Sequence, residues 1–204
     1  MRPGRFIVLE GGEGSGKSTV AAAIARRLRE RGVSVVETRE PGGTPLGEGV
    51  RVLLRDEVDP WAEAFLFFAA RAELVASVIR PSLAQGVWVV CDRYSPSTLA
   101  YQGYGRGLDV QALRLIDAVA TARTEPDLVV LLDIDPERGL ARKAGETGAA
   151  QTGREGLDFH RRVREGYLAL LRDAPPGTWV RIDASRDLAA VQQEAWSAVA
   201  ALLP

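Results

Sequence analysis

Gly11, Gly16, Lys17 and Ser18 stand at the spacing G-x-x-x-x-G-K-[ST], inside the stretch EGGEGSGKST. Those residue types in that order suit phosphate: glycines let backbone N–H groups turn inward, and a helix beginning just after them adds its positive end. The lysine then bridges the terminal phosphates, and the serine offers a hydroxyl to a divalent cation such as Mg²⁺. The pattern has this meaning only between a strand and a helix. Both are predicted here, because an apolar run at 6–9 precedes it and Val20, Ile24 and Leu28 follow at helical spacing, up to Gly32 as a cap. Gly11, Gly12, Glu13, Gly14, Ser15, Gly16, Lys17, Ser18 and Thr19 are the expected cradle for a nucleotide, with ATP as the phosphate donor. Glu13 is the odd member. A carboxylate facing a phosphate would repel it, so its side chain must point elsewhere.

Other residues with chemistry fall at the ends of predicted strands. Asp92 closes an apolar run at 87–91, at the carboxyl edge where open α/β sheets take their ligands. A carboxylate there can join Ser18 in holding a metal, and Asp133, at the end of the run 128–132, is the second choice. Cys91 reads as a small buried side chain, and His160, on an arginine-rich helix, as a surface residue. A guanine-nucleotide switch would carry an Asn-Lys-x-Asp stretch and an Asp-x-x-Gly sensor; the chain has neither.

These residues need a scaffold, and the sequence supplies one. Five apolar or β-branched runs, at 6–9, 33–36, 87–91, 128–132 and 179–182, alternate with stretches of helical spacing. Such alternation predicts an α/β fold with a parallel sheet of five strands and helices on both faces. Asp59-Pro60 opens a helix running to about residue 80, where Pro81 should kink or break it, and Asp135-Pro136 opens another. The segment 145–153, GETGAAQTG, is small-residue-rich and aperiodic, the expected mobile loop.

With 204 residues, 46% of them hydrophobic, the chain is long enough for one substantial core and is expected to form one domain over 1–204. A formal net charge of −1, with no basic run longer than two residues, argues against a nucleic-acid binder held by bulk charge. A single cysteine excludes an internal disulfide, and no apolar run approaches the ~20 residues that span a bilayer. No membrane role and a cytoplasmic location are expected.

EGGEGSGKST together with REPGGTPLGEGVR (39–51) and CDRYSPSTLAYQG (91–103) resembles the bacterial thymidylate kinases, as do LLDIDPERGLAR (131–142) and EGLDFHRRVREGY (155–167), in the same order. The resemblance spans nearly the whole chain. It implies a P-loop kinase fold with a mobile lid at about 142–155, phosphoryl transfer from Mg-ATP to dTMP, and a homodimer. By the same resemblance, Arg39, Arg51 and Arg93 gather around the acceptor and transferred phosphates, Pro41 belongs to the substrate site, and Glu13 takes the sugar 3′-hydroxyl. Phe67 stacks on thymine and Arg71, four residues on and so on the same helix face, binds its carbonyl. Thr98, Tyr101 and Gln102 complete the base and sugar contacts, with Tyr101 crowding C2′.

The chain departs from the family in its lid. Where relatives without a basic residue in the phosphate loop carry Asp-Arg-x-Glu, the positions read Ala150, Gln151, Thr152 and Gly153. Arg142, Lys143 and Arg154 remain as lid cations. Arginine's planar fork can meet two phosphate oxygens at once, which makes Arg142 the expected catalytic cation beside Lys17 and Arg93. Two other readings stay open on the residues alone: a nucleotide-binding regulatory protein that turns over weakly, and a kinase for another nucleoside monophosphate.

Overall fold

The computed structural model describes residues 4–55, 57–147 and 155–203. Five strands, β1 (Phe6–Gly11), β2 (Val35–Arg39), β3 (Trp88–Asp92), β4 (Leu128–Asp133) and β5 (Trp179–Asp183), form one sheet in the order β2-β3-β1-β4-β5. Every pairing is parallel, as the alternation of strand and helix runs requires. The α/β class and the five-stranded sheet expected from the sequence are both present.

β1 shows why its residues read as an unbroken apolar run. Ile7 and Leu9 pack on one side, with Val130 and Leu132 of β4, against helix α1 (Lys17–Glu30) and helix α9 (Leu188–Ala200). Phe6 and Val8 pack on the other, with Val89, Tyr94 and Val129, against Leu74 and Ile79. All four β1 side chains are fully buried. Burying each contributes roughly 1.5–3 kcal/mol, so the strand is anchored from both faces and its carboxyl end is fixed.

Two boundaries differ from expectation for local reasons. β2 starts at Val35 rather than Val33, because Gly32 adopts φ +75° and the Val33 amide closes α1 by donating to the Leu28 carbonyl. The helix opened by Asp59-Pro60 does not break at Pro81. α3 (Pro60–Leu74) passes into a π-helical segment, Val75–Ile79, and then into α4 (Arg80–Ala84), whose first turn holds Pro81. The wider turn puts the proline where its missing N–H is not needed.

The remaining helices are α2 (Pro45–Leu53), α5 (Ser95–Thr98), continued by a π-helical segment Leu99–Gly105, then α6 (Val110–Ala120), α7 (Pro136–Thr147) and α8 (Leu157–Asp173). α7 packs directly on the phosphate loop, glycine to glycine. A Cβ on Gly14 would meet the Gly139 carbonyl oxygen at 1.9 Å, and one on Gly139 would meet the Glu13 oxygen at 2.3 Å. Gly145, expected in a mobile loop, belongs to α7. So do residues 146 and 147; from residue 148 on, that loop and the lid positions Ala150, Gln151, Thr152, Gly153 and Arg154 lie outside the described residues.

Candidate active site

The turn after β1 positions Lys17. Gly16, at φ +86°, takes a left-handed conformation that a side chain would resist, and α1 begins at the next residue. The Lys17 ammonium folds back into the loop and donates to the Gly11 and Gly12 carbonyls at 3.0 and 2.8 Å and to Ser15 Oγ at 3.3 Å. Burial, with Arg93 nearby, pushes it down to about 7 against the pull of Glu13, Asp92 and Glu10. A buried ammonium surrounded by turned-in backbone is poised for anionic oxygens. Thr19 is exposed on α1.

The Ser18 hydroxyl donates to one carboxylate oxygen of Asp92, while the other, Oδ1, is buried with no partner. A hydroxyl and an unsatisfied carboxylate oxygen side by side at the strand ends are the oxygen donors a hard divalent cation takes, so these residues fit Mg²⁺. Asp133 does not. Arg164 at 2.7 Å and Arg181 at 2.6 Å grip it, and although burial works against its charge, their hydrogen bonds hold the carboxyl below the ordinary aspartate range. Its lone pairs and its charge are already committed.

Beside the loop opens a cavity of about 280 Å³ lined by Glu13, Pro41, Phe67, Arg71, Arg93, Thr98, Tyr101 and Gln102, so residues from four separate stretches meet in one place. Glu13 does point away from the phosphate cradle, into this cavity, where it accepts from Arg93 at 3.1 Å, Tyr101 at 3.2 Å and Lys143 at 2.5 Å. Burial opposes its charge, but Arg93, Lys17 and Lys143 outweigh it and hold the carboxyl at about 2. Arg93 has a left-handed backbone, φ +73°, and its guanidinium stacks 4.8 Å from the Tyr101 ring centroid.

Arg71 is almost wholly committed to the protein. Its Nε and Nη2 donate to one oxygen of Glu40 at 2.8 and 2.7 Å, Nη1 to Asp117 at 2.8 Å and Nη2 also to Thr98 at 2.9 Å. Four of five N–H donors are used, which leaves a single Nη1 hydrogen for a ligand rather than an open fork. Arg39 and Arg51 stay out of the cavity. Arg39 pairs with Glu48 at 3.1 Å near Ser18 and Asp92, and the exposed Arg51 donates to the Pro41 carbonyl at 3.3 Å.

The expected lid cation is also displaced. Arg142 donates to the Ala184 and Ser185 carbonyls at 2.7 and 3.1 Å, beyond β5, and does not line the cavity; its neighbour Lys143 does. One residue along a helix turns the side chain by about 100°, so only one of the pair can face the loop. His160 is not a surface residue. It is 8% exposed, lines the cavity and has an unpartnered Nε2, because it shares the inward stripe of α8 with Val163 and Tyr167 while Arg161 faces solvent. Cys91 is buried, as expected.

A family model described as thymidylate kinase matches residues 9–195, the stretch that contains every one of these groups. The chain belongs to the thymidylate kinase family. It is 48% identical to the thymidylate kinase of Deinococcus radiodurans over 98% of both chains, and 49% identical to that of Methylococcus capsulatus over 100% of this chain and 98% of the other. The crystal structure of thymidylate kinase from Ehrlichia chaffeensis superposes with a TM-score of 0.81 at 34% identity, covering 97% of this chain and 99% of that one.

Within this thymidylate kinase framework the cavity also holds groups that the sequence alone did not single out. Glu40 follows β2 and reaches the cavity floor beside a cis Glu40-Pro41 peptide. Glu63 accepts from Gln102 at 2.5 Å and from Arg106 at 2.7 Å, and Arg106 also pairs with Glu155 at 2.8 Å. Glu40 stands between Arg39 and Pro41, so its place in REPGG is the signal that could have found it. Glu63 lies four residues before Phe67, on the same helix face, which is the signal that would have found it.

Proposed function

We propose that this chain, acting as one unit over residues 1–204, transfers the terminal phosphoryl group of Mg-ATP to dTMP and releases ADP and dTDP. The observation that carries the reading is the single cavity in which Phe67, Arg71, Thr98, Tyr101 and Gln102 adjoin the phosphate loop through Glu13. An oxygen of the dTMP phosphate attacks the terminal phosphorus of ATP, and the bond to the departing ADP oxygen breaks. Both reactants are anionic, so the protein's work is alignment and neutralisation.

Lys17 contacts the transferring phosphoryl group from the phosphate loop. Arg93 and Lys143 approach it from the acceptor side when dTMP replaces their contacts with Glu13. Glu13 then accepts from the sugar 3′-hydroxyl, a charge-assisted bond to a carboxylate that stays ionised. Phe67 stacks on the base, Thr98 and the remaining Arg71 hydrogen read its polar edge, and Tyr101 crowds C2′. Pro41, Arg39 and Arg51 border the acceptor phosphate. Ser18 and Asp92 would hold Mg²⁺, which when bound neutralises phosphate charge.

Among the described residues no helix is long and apolar enough to cross a membrane, and we read the chain as a cytoplasmic enzyme of small nucleotides. Phe65 on α3, Leu115 and Val119 on α6 and Leu53 on α2 form a set of exposed apolar side chains, Leu115 and Val119 at 73% and 82% exposure. A second copy of the chain is the partner that fits it, as a homodimer.

Calorimetry with dTMP tests the base site. Phe67→Ala should weaken binding by about tenfold or more, the loss expected when one base loses its aromatic platform. Unchanged affinity would show that thymine binds elsewhere.

A further inference from the structure

Glu10 is an anomaly in β1. It is a carboxylate at the next-to-last position of an otherwise uncharged strand, it is fully buried, and among the described residues no ion pair is made with it. Burying such a group is unfavourable unless its lone pairs are filled. Here they are filled in a divided way. Oε1 accepts from the backbone amides of Tyr94 and Ser97 at 2.8 and 3.2 Å, at the start of α5. Oε2 accepts from two hydroxyls, Ser97 Oγ at 2.7 Å and Tyr167 at 2.8 Å.

Those two hydroxyls are the ones that receive Arg93. Its Nη1 donates to Ser97 Oγ at 3.1 Å and to the Tyr167 oxygen at 3.4 Å, while Nη2 turns to Glu13 and Tyr101. A hydroxyl has one proton and two lone pairs. The two hydroxyls lie 2.9 Å from each other as well, and it is the carboxylate that draws both protons to itself, so that each presents lone pairs to the guanidinium and Glu10 sets the polarity of both. Arg93 also needs holding from below, since its backbone sits at φ +73° and is fixed by its own amide on the Leu9 carbonyl at 3.0 Å and by the next amide on Glu10.

We infer that Glu10 is a positioning residue for phosphoryl transfer, which through the hydroxyls of Ser97 and Tyr167 fixes the guanidinium of Arg93. The inference rests on the role proposed above for Arg93. A plain structural role, capping α5, uses Oε1 alone and leaves the hydroxyl arm without purpose.

Glu10→Gln separates the two roles. The two backbone amides at the Oε1 position require the amide oxygen there, so the cap survives. The –NH₂ then faces Ser97 and Tyr167 and competes with Arg93 for their lone pairs. Glu10→Gln should retain its thermal midpoint to within a few degrees and lower kcat by about tenfold or more, the scale of a misplaced reacting group, with a smaller change in KM for dTMP. Combined with Arg93→Ala, it should add no further loss. Tyr167→Phe and Ser97→Ala, which each remove one arm, should give smaller losses that likewise vanish with Arg93→Ala, and they serve if Glu10→Gln does not fold.

A full Glu10→Gln loss persisting in the Arg93→Ala background overturns the inference and leaves the role of Arg93 intact. Should Arg93→Ala retain wild-type activity, the proposed role of Arg93 fails, and side-chain ¹⁵N spectra of labelled arginine judge the positioning separately. The Arg93 Nη signals, assigned by their loss in Arg93→Lys, should be separate in the wild type and averaged by rotation in Glu10→Gln and Tyr167→Phe. Spectra identical to wild type would overturn the inference.

Discussion

The Lys143 ammonium on α7 lies 2.5 Å from a carboxylate oxygen of Glu13 in the phosphate loop, while Arg142, the preceding residue, is turned to the Ala184 and Ser185 carbonyls. On the proposed mechanism, lid charge therefore reaches the reacting centre through the lysine. Lys143→Ala is expected to lower kcat by about 10²-fold, comparable to removing one preorganised donor from a developing charge. Arg142→Ala should leave kcat within a few-fold and instead lower the thermal midpoint. Steady-state kinetics on both variants decide it: a greater kcat loss in Arg142→Ala would return the catalytic role to the arginine.

Lys17→Ala removes the cation that the phosphate loop encloses. Its contacts are to loop carbonyls and Ser15, none of them in the apolar core, so circular dichroism should be unchanged. Turnover should fall by at least about 10²-fold. A variant near the wild-type rate would remove Lys17 from the mechanism.

The Tyr101 hydroxyl donates to Glu13, the group proposed to take the 3′-hydroxyl, so its ring borders the adjacent sugar carbon. Comparison of dTMP with its ribose counterpart should show a preference for the deoxy sugar in the wild type. Tyr101→Ala should erode it by about tenfold, the scale of a steric contact of one or two atoms. Equal discrimination in both proteins would place the 2′ position elsewhere.

Glu13 carries a pH signature. Its carboxyl is held at about 2 in the folded chain, against an ordinary glutamate value of 4.5 when unfolded. The stabilisation is therefore complete above about pH 4.5 and is lost as pH falls toward 2, with an upper bound of about 3 kcal/mol. Urea midpoints of wild type and Glu13→Gln should differ by a constant amount above about pH 5 and converge below it. A gap that widens on acidification would mean that the carboxylate is not the charged partner of Arg93 and Lys143.

Where one feature alone decided a position, the sequence was enough to find it. The glycine spacing placed Lys17, and the apolar runs placed all five strands, most plainly β1, β3 and β4, which are buried on both faces and so show no polar alternation. Arg142 and Lys143 were a harder case: adjacent residues on a helix differ in direction, and which one faces the loop depends on how α7 packs through Gly139 on Gly14. His160 was hidden by its arginine neighbours, whose charges suggested an exposed face that only some of them share. Glu10, in an apolar strand, and the Arg71–Glu40–Asp117 cluster depend on partners far apart in sequence, 31 and 46 residues for Arg71, which no local pattern reveals.

The central claim is met most directly by a coupled assay of ADP release with Mg-ATP and each common nucleoside monophosphate in turn, run on wild type and Lys17→Ala. The expected result is dTMP-dependent ADP release by the wild type, well above that with the other acceptors, and its loss in Lys17→Ala. Release that is independent of the acceptor, or fastest with a nucleotide other than dTMP, would contradict the account.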